Sequence, residues 1–218
     1  MKQAIPVILF ILLTGIPAVH GQFIRSVGFK AGISLANQSY RFTPIDYTLE
    51  TSPVLGPGIA IFIEALSREH LSIQLDLAYA AKGSKTTIES VTVNHLENNS
   101  IVVNVGDLKV SKFNYLSLTP LARYRFDRER LSPYIVAGLR LDYLLNYKTD
   151  SDYPLEEQNK FIMGLSGGVG VEYNLNKLGV FFEVQYQPDI NPVISKDPLL
   201  INNNILLITL GIRYLNTQ

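Results

Sequence analysis

Eight stretches of period-two alternation, joined by links that are short and long in strict turn, constrain this chain more than any other feature of its sequence. In a strand, successive side chains point to opposite faces, so alternation of apolar and polar residues marks one face of each kind. Phe29, Ala31, Ile33 and Leu35 alternate with Gly28, Lys30, Gly32 and Ser34, and Ile59, Ile61, Ile63 and Ala65 with Ala60, Phe62 and Glu64. Leu71, Ile73, Leu75, Leu77 and Tyr79 stand against Ser72, Gln74, Asp76, Ala78 and Ala80. Leu116, Leu118, Ala122, Tyr124 and Phe126 oppose Ser117, Thr119, Arg123 and Arg125. Ile135, Ala137, Leu139, Leu141 and Tyr143 oppose Gly138, Arg140 and Asp142. The last three runs set Leu165, Val169, Val171 and Tyr173 against Ser166, Gly168, Gly170 and Glu172; Phe182, Val184 and Tyr186 against Glu183 and Gln185; and Ile208, Leu210, Ile212 and Tyr214 against Thr209, Gly211 and Arg213. Pro120 interrupts the fourth run and predicts a bulge or local break there.

Short links fall at Ser67–His70, Asp127–Ser132 and Asn174–Lys177, and long ones at Asn37–Pro53, Lys82–Asn114, Lys148–Lys160 and Pro188–Asn203. Eight up-and-down antiparallel strands with both termini on the short-turn side give this rhythm. Transmembrane barrels of the bacterial outer membrane combine short periplasmic turns with longer extracellular loops. A Greek-key sandwich has no reason to keep it. Tracing the strand directions sorts the aromatics into two girdles: Tyr79, Tyr115, Tyr143 and Tyr186 toward the long loops, and Phe126, Tyr173, Phe182 and Tyr214 toward the short turns. Interfaces of a bilayer favour such rings.

The polar face carries Lys30, Arg123, Arg125, Arg140 and Arg213 together with Glu64, Asp76, Asp142, Glu172 and Glu183. The lumen of an eight-stranded barrel is wide enough only for side chains to fill. Enclosed charges are costly unless paired, so a balanced set predicts ion-pair networks and a plugged lumen. The glycines at 28, 32, 138, 168, 170 and 211 are expected to make room for the arginines. The opposite reading turns this face to water and makes the chain a secreted sandwich or lipocalin-like barrel around an apolar ligand.

Residues 1–21 read as a signal peptide: Lys2 is the positive start, Ile5–Val19 is the apolar run, and Val19 and Gly21 precede a cleavage point before Gln22. Residues 22–218 then form the barrel domain. The whole chain has 19 basic and 19 acidic residues, a balance that gives no electrostatic reason to expect nucleic acid, and it has no cysteine for disulfides, thiol chemistry or sulfur-ligated metals.

The opening Val27–Asn37 resembles the first strand of PorT-like outer-membrane β-barrel proteins of the Bacteroidetes, and Leu210–Tyr214 resembles their last. The resemblance spans essentially all of residues 22–218 and implies integration in the outer membrane, with lipid as the surrounding partner. It also implies assembly by the outer-membrane insertion machinery, which reads an aromatic-bearing final strand. Four residues follow Tyr214 here, where many barrels end on an aromatic.

Chemistry is sparse. His70 and His95 fall at opposite ends of the expected barrel and cannot share a metal or a catalytic relay. Glu97 and Asp107 near His95, and the acidic Asp150, Asp152, Glu156 and Glu157, read as solvated loop positions. Gly164–Gly168 matches a nucleophile elbow by spacing, but it lies inside a strand and not on the strand-to-helix turn that exposes such a serine. No cofactor or metal is expected, and the chain reads as non-enzymatic. The long Lys82–Asn114 link has β-branched flanks at Thr86–Val93 and Ile101–Val110, which predict a protruding hairpin able to recruit a protein partner by edge pairing. A structural or partner-binding barrel follows, with a narrow channel or a small-molecule or lipid transporter as the alternative.

Overall fold

The computed structural model describes residues 24–42, 47–49, 51–92, 102–126, 130–149, 159–196 and 199–216. The expected signal segment, His95, Glu97 and the acidic group at 150–157 lie outside the described residues, as do the side chains of 86–109, Asp107 among them. In chain order the strands are β1 (Ile24–Phe42), β2 (Tyr47–Leu49), β3 (Ser52–Ala65), β4 (Leu71–Thr92), β5 (Val102–Arg125), β6 (Leu131–Thr149), β7 (Phe161–Leu175), β8 (Leu178–Pro188), β9 (Ile194–Lys196) and β10 (Leu199–Leu215).

Eight of these are long and correspond to the eight alternating runs; β2 and β9 are three-residue pieces on the ends of β1 and β10. Each long strand pairs antiparallel with its sequence neighbour. β10 returns to β1 over Ser26↔Leu215 to Phe42↔Leu199, which closes the sheet into a barrel. Closure removes the unpaired edges that an isolated sheet would expose, and this satisfies the backbone within a bilayer.

The alternation resolves in one sense only. Phe29, Ile61, Leu75, Leu118, Leu139, Val169 and Leu210 face outward, whereas Lys30, Glu64, Asp76, Arg123, Arg140, Glu172 and Arg213 are buried inside. An apolar exterior around a polar interior is the inverse of a soluble barrel. It excludes the secreted, apolar-lumen alternative.

The strands run further than alternation alone indicates. β4 and β5 stay paired beyond the barrel wall to Thr92↔Val102, so the predicted hairpin is present in the backbone. At Pro120 the structure shows the local break of the two expected outcomes, without a bulge: β5 keeps one register with β6 from Leu118↔Leu141 to Leu121↔Gly138 and loses the pairs between them. Proline removes a donor without shifting the ladder. In β3 the pairing to β4 opens between Pro53 and Gly58, a stretch that includes Pro57, and there the register also shifts.

The glycines serve a different purpose from the one expected. A Cβ at Gly28 would strike the Phe62 ring, at Gly170 the Tyr134 ring and at Gly211 the Phe181 ring. Gly32, Gly138 and Gly168 lie against neighbouring backbone, while Gly164 and Gly179 make room for Arg140 and Arg213. Rings are rigid and need a notch, whereas a guanidinium on a flexible stem can bend around an obstacle. Gly138→Ala would drive a methyl into the Pro120 carbonyl, so its unfolding free energy in urea titrations should fall by about 1–3 kcal/mol.

Candidate functional site

The inward side chains form three tiers along the lumen. Nearest the short turns, Glu64 accepts hydrogen bonds from Arg125 Nη1 (2.7 Å) and Nη2 (2.8 Å), from Arg213 Nη1 (2.9 Å) and from Ser26 Oγ (3.1 Å). Glu172 pairs with Arg213 and accepts from Arg123 Nη2 at 3.3 Å. Three arginines therefore share two carboxylates. Arg123 also lies 3.7 Å from the Tyr134 ring centroid, a cation–π contact in a water-poor place.

Gln74 joins this tier to the next, accepting from Arg123 Nη1 (2.9 Å) and donating to Asp76 Oδ1 (2.7 Å). In the middle tier Lys30 Nζ bridges Asp76 and Glu183, each at 2.7 Å, and the Tyr134 hydroxyl donates to Glu183 at 3.1 Å. A cavity of about 20 Å³ beside Lys30 and Asp76, bordered by Ala60, Ala78 and Thr119, has room for about one water molecule.

Gln185 and Gln187 carry the chain of hydrogen bonds upward from Glu183 to Arg140. In the upper tier Asp142 accepts from Lys82 Nζ (2.5 Å) and Arg140 Nε (2.8 Å), and Asp189 takes the second bond of each cation. Asn203, Gln38 and Ser84 extend the column beyond Asp189. Beside the upper tier Phe113, Tyr115, Leu144, Ile162, Val193 and Ile201 pack into a buried apolar cluster, with Phe113 opposite Lys82 and Ile162 opposite Asp142 in the ladders.

All ten charged residues expected in the lumen are buried there and paired. Lys82 and Asp189 join them, having fallen in stretches read as loops. Parity was the available signal: Lys82 continues the even series from Ser72, and Asp189 the odd series from Glu183. Among the described residues the lumen holds six cations (Lys30, Lys82, Arg123, Arg125, Arg140, Arg213) and six anions (Glu64, Asp76, Asp142, Glu172, Glu183, Asp189).

Of the aromatics expected in the girdles, Phe126, Tyr143, Tyr173, Phe182, Tyr186 and Tyr214 are exposed on the outer wall and Tyr79 partly so. Tyr115 is not among them. It shares the odd, inward parity of Ser117 and Arg123, and it is fully buried under Lys82, whose Nζ is 4.6 Å from its ring centroid. His70 sits in the turn before β4 with Nδ1 2.9 Å from the Arg125 carbonyl. Ser166 lies inside mid-strand, donating to Gln185 at 3.1 Å, so no elbow forms. No cluster of three or more His, Cys, Asp or Glu able to hold a metal occurs among the described residues.

The profile of the family described as outer membrane protein beta-barrel domain matches residues 23–195. No curated protein matches the chain. Among solved structures, a major outer membrane protein from Thermus thermophilus is similar at 14% identity and TM-score 0.49, covering 89% of this chain and 99% of that one. Neisserial surface protein A is similar at 14% identity and TM-score 0.46 (87% and 95%). The outer membrane protease from Escherichia coli is similar at 9% identity and TM-score 0.49 (88% and 96%).

Proposed function

The chain belongs to the outer membrane protein beta-barrel domain family, and from that premise we propose that it works through its extracellular face as a structural or partner-binding barrel with a plugged lumen. It is an integral protein of the outer membrane, with short turns and termini in the periplasm and long loops outside. The observation that carries the reading is the continuous column of paired side chains from Ser26 to Ser84, with the buried apolar cluster of Phe113, Leu144 and Val193 packed beside its upper part. An ion crossing this lumen would have to break buried pairs, each of which would leave an uncompensated charge. Purified protein in planar bilayers is expected to show no unitary conductance steps. Reproducible steps from the unmodified chain would replace this reading with the narrow-channel alternative.

The contact surface we favour is the β4–β5 arm. Among the described residues, β4 pairs with β3 as far as Lys85, and β5 with β6 as far as Ser111. The arm therefore carries two strand edges, Thr86–Thr92 and Val102–Val110, on which a partner protein's extended segment could add. Deleting residues 86–109 and rejoining the strands with a short turn should leave the heat-dependent gel shift of the folded barrel intact. It should abolish cross-linking to a partner through a cysteine introduced at Ser111, a position kept in both forms of an otherwise cysteine-free chain.

The resemblance of the opening and closing strands supports a PorT-like affiliation within the Bacteroidetes, and with it we infer export by cleavage before Gln22 and assembly by the insertion machinery. We read it as non-catalytic: Ser166 is held inside against Gln185, and His70 lies against the Arg125 carbonyl and the Tyr124 ring.

A further inference from the structure

Above the outer aromatic belt, on the outside of the wall formed by β4, β5 and β6, three exposed lysines converge. Lys112 and Lys148 are direct cross-strand partners. Lys85 is on the next strand, paired to Val110, two residues from Lys112. Like charges directly opposite each other on adjacent strands are destabilising, because their Cβ atoms stand only about 5 Å apart. Elsewhere in this barrel every buried cation named above has an acidic neighbour, yet among the described residues none of these three lysines has an ion-pair partner.

The two lysines stand face to face in a register set by a one-residue shift between β5 and β6 at Asn114/Tyr115. Two ladder positions below them, on the same outer face, Asn114 donates to Asn146 at 2.6 Å, and past the shift comes the belt pair Leu116↔Tyr143. Opposite Lys112 on the other side is Gly83, with φ of 148°, where a side chain would strike the Ser111 carbonyl. No side chain on β4 therefore stands beside Lys112 at that level. Moving up β5, the outer surface passes from apolar Leu116 to the amide of Asn114 to cationic Lys112 within four residues. Along tilted strands this is a climb of about 10 Å. The lysine stems can lie back along the wall toward the belt.

We propose that Lys85, Lys112 and Lys148 form a binding site for the phosphate groups of a phosphorylated glycolipid in the outer leaflet. The acyl chains would lie on the apolar wall below, and an anion shared by Lys112 and Lys148 would turn their repulsion into attraction. The lipid source follows from position: the lysines are on the membrane-facing wall directly over the belt, not on the lumen side.

The test uses the mature protein in phosphatidylcholine vesicles with and without a diphosphorylated glycolipid, measuring glycolipid retained per barrel after detergent extraction. The unmodified barrel should retain it, and affinity should fall about fivefold for each lysine removed in the K112Q and K112Q/K148Q variants. K148E should keep the folded-barrel gel shift, because it creates an opposite-charge pair with Lys112, yet lose the lipid. K177Q, at the periplasmic end, should bind as the unmodified protein does. Equal retention by K112Q/K148Q, or equal retention of the dephosphorylated glycolipid, would overturn the site. Displacement by inorganic phosphate at the same concentration would show that the lysines select a free anion, and would overturn the lipid assignment.

Discussion

Glu64→Ala is expected to cost about 3–5 kcal/mol of folding stability, read as a lower urea midpoint in vesicles and a lower temperature for loss of the folded gel band. The reason lies in what it leaves behind. Glu64 is fully buried and accepts both terminal nitrogens of Arg125 and one of Arg213. Without it, Arg123, Arg125 and Arg213 share Glu172 alone, and all three guanidinium groups are buried away from solvent. Removing both members of a pair is a different change. Glu64→Leu combined with Arg125→Met restores the original charge difference of the tier and should recover most of the loss. A cost below about 1 kcal/mol for the single alanine variant would mean that water reaches the tier from the periplasmic mouth, and the lumen would then not be sealed at that end.

That the tiers exist at all was legible in the sequence, because period two is insensitive to where a strand ends. Each of the ten expected charges needed only its parity within a run, and each is inside. What parity does not give is length. Lys82 and Asp189 were hidden because strand ends depend on neighbours: β4 continues past Lys82 only because β5 runs beside it, and Asp189 is held by a bridge to Gly164. Tyr115 shows the opposite error. Its height near the long loops fitted the girdle, but its parity with Ser117 and Arg123 placed it inside, and the ladder decides for parity. The glycine roles were illegible for a further reason. Which ring lies over Gly28 or Gly211 depends on the register between strands distant in sequence, and alternation within one strand carries no information about it.

The outer face offers a test that separates membrane placement from mere exposure. Leu71 and Leu75 lie on the same side of β4, both exposed, four residues apart. Leu71 pairs with Tyr124, beside the lower girdle residue Phe126, whereas Leu75 sits midway between that level and Tyr79. Leu75→Arg should cost about 2–4 kcal/mol in vesicles, because it puts a guanidinium near the middle of the hydrocarbon. Leu71→Arg, near the interface, should cost only about 0–1 kcal/mol, because its stem can carry the charge to water. An aqueous environment around the wall would make the two variants equal, since the side chains are similarly exposed. Unequal cost in lipid with equal cost in mild detergent would tie the difference to depth and not to packing. The same pair bears on the lysine site, because a bilayer centred on Leu75 fixes the height at which Lys112 and Lys148 meet the headgroups. Were Leu71→Arg the costlier of the two, the hydrocarbon would be centred lower on the wall, and both lysines would stand clear of the leaflet.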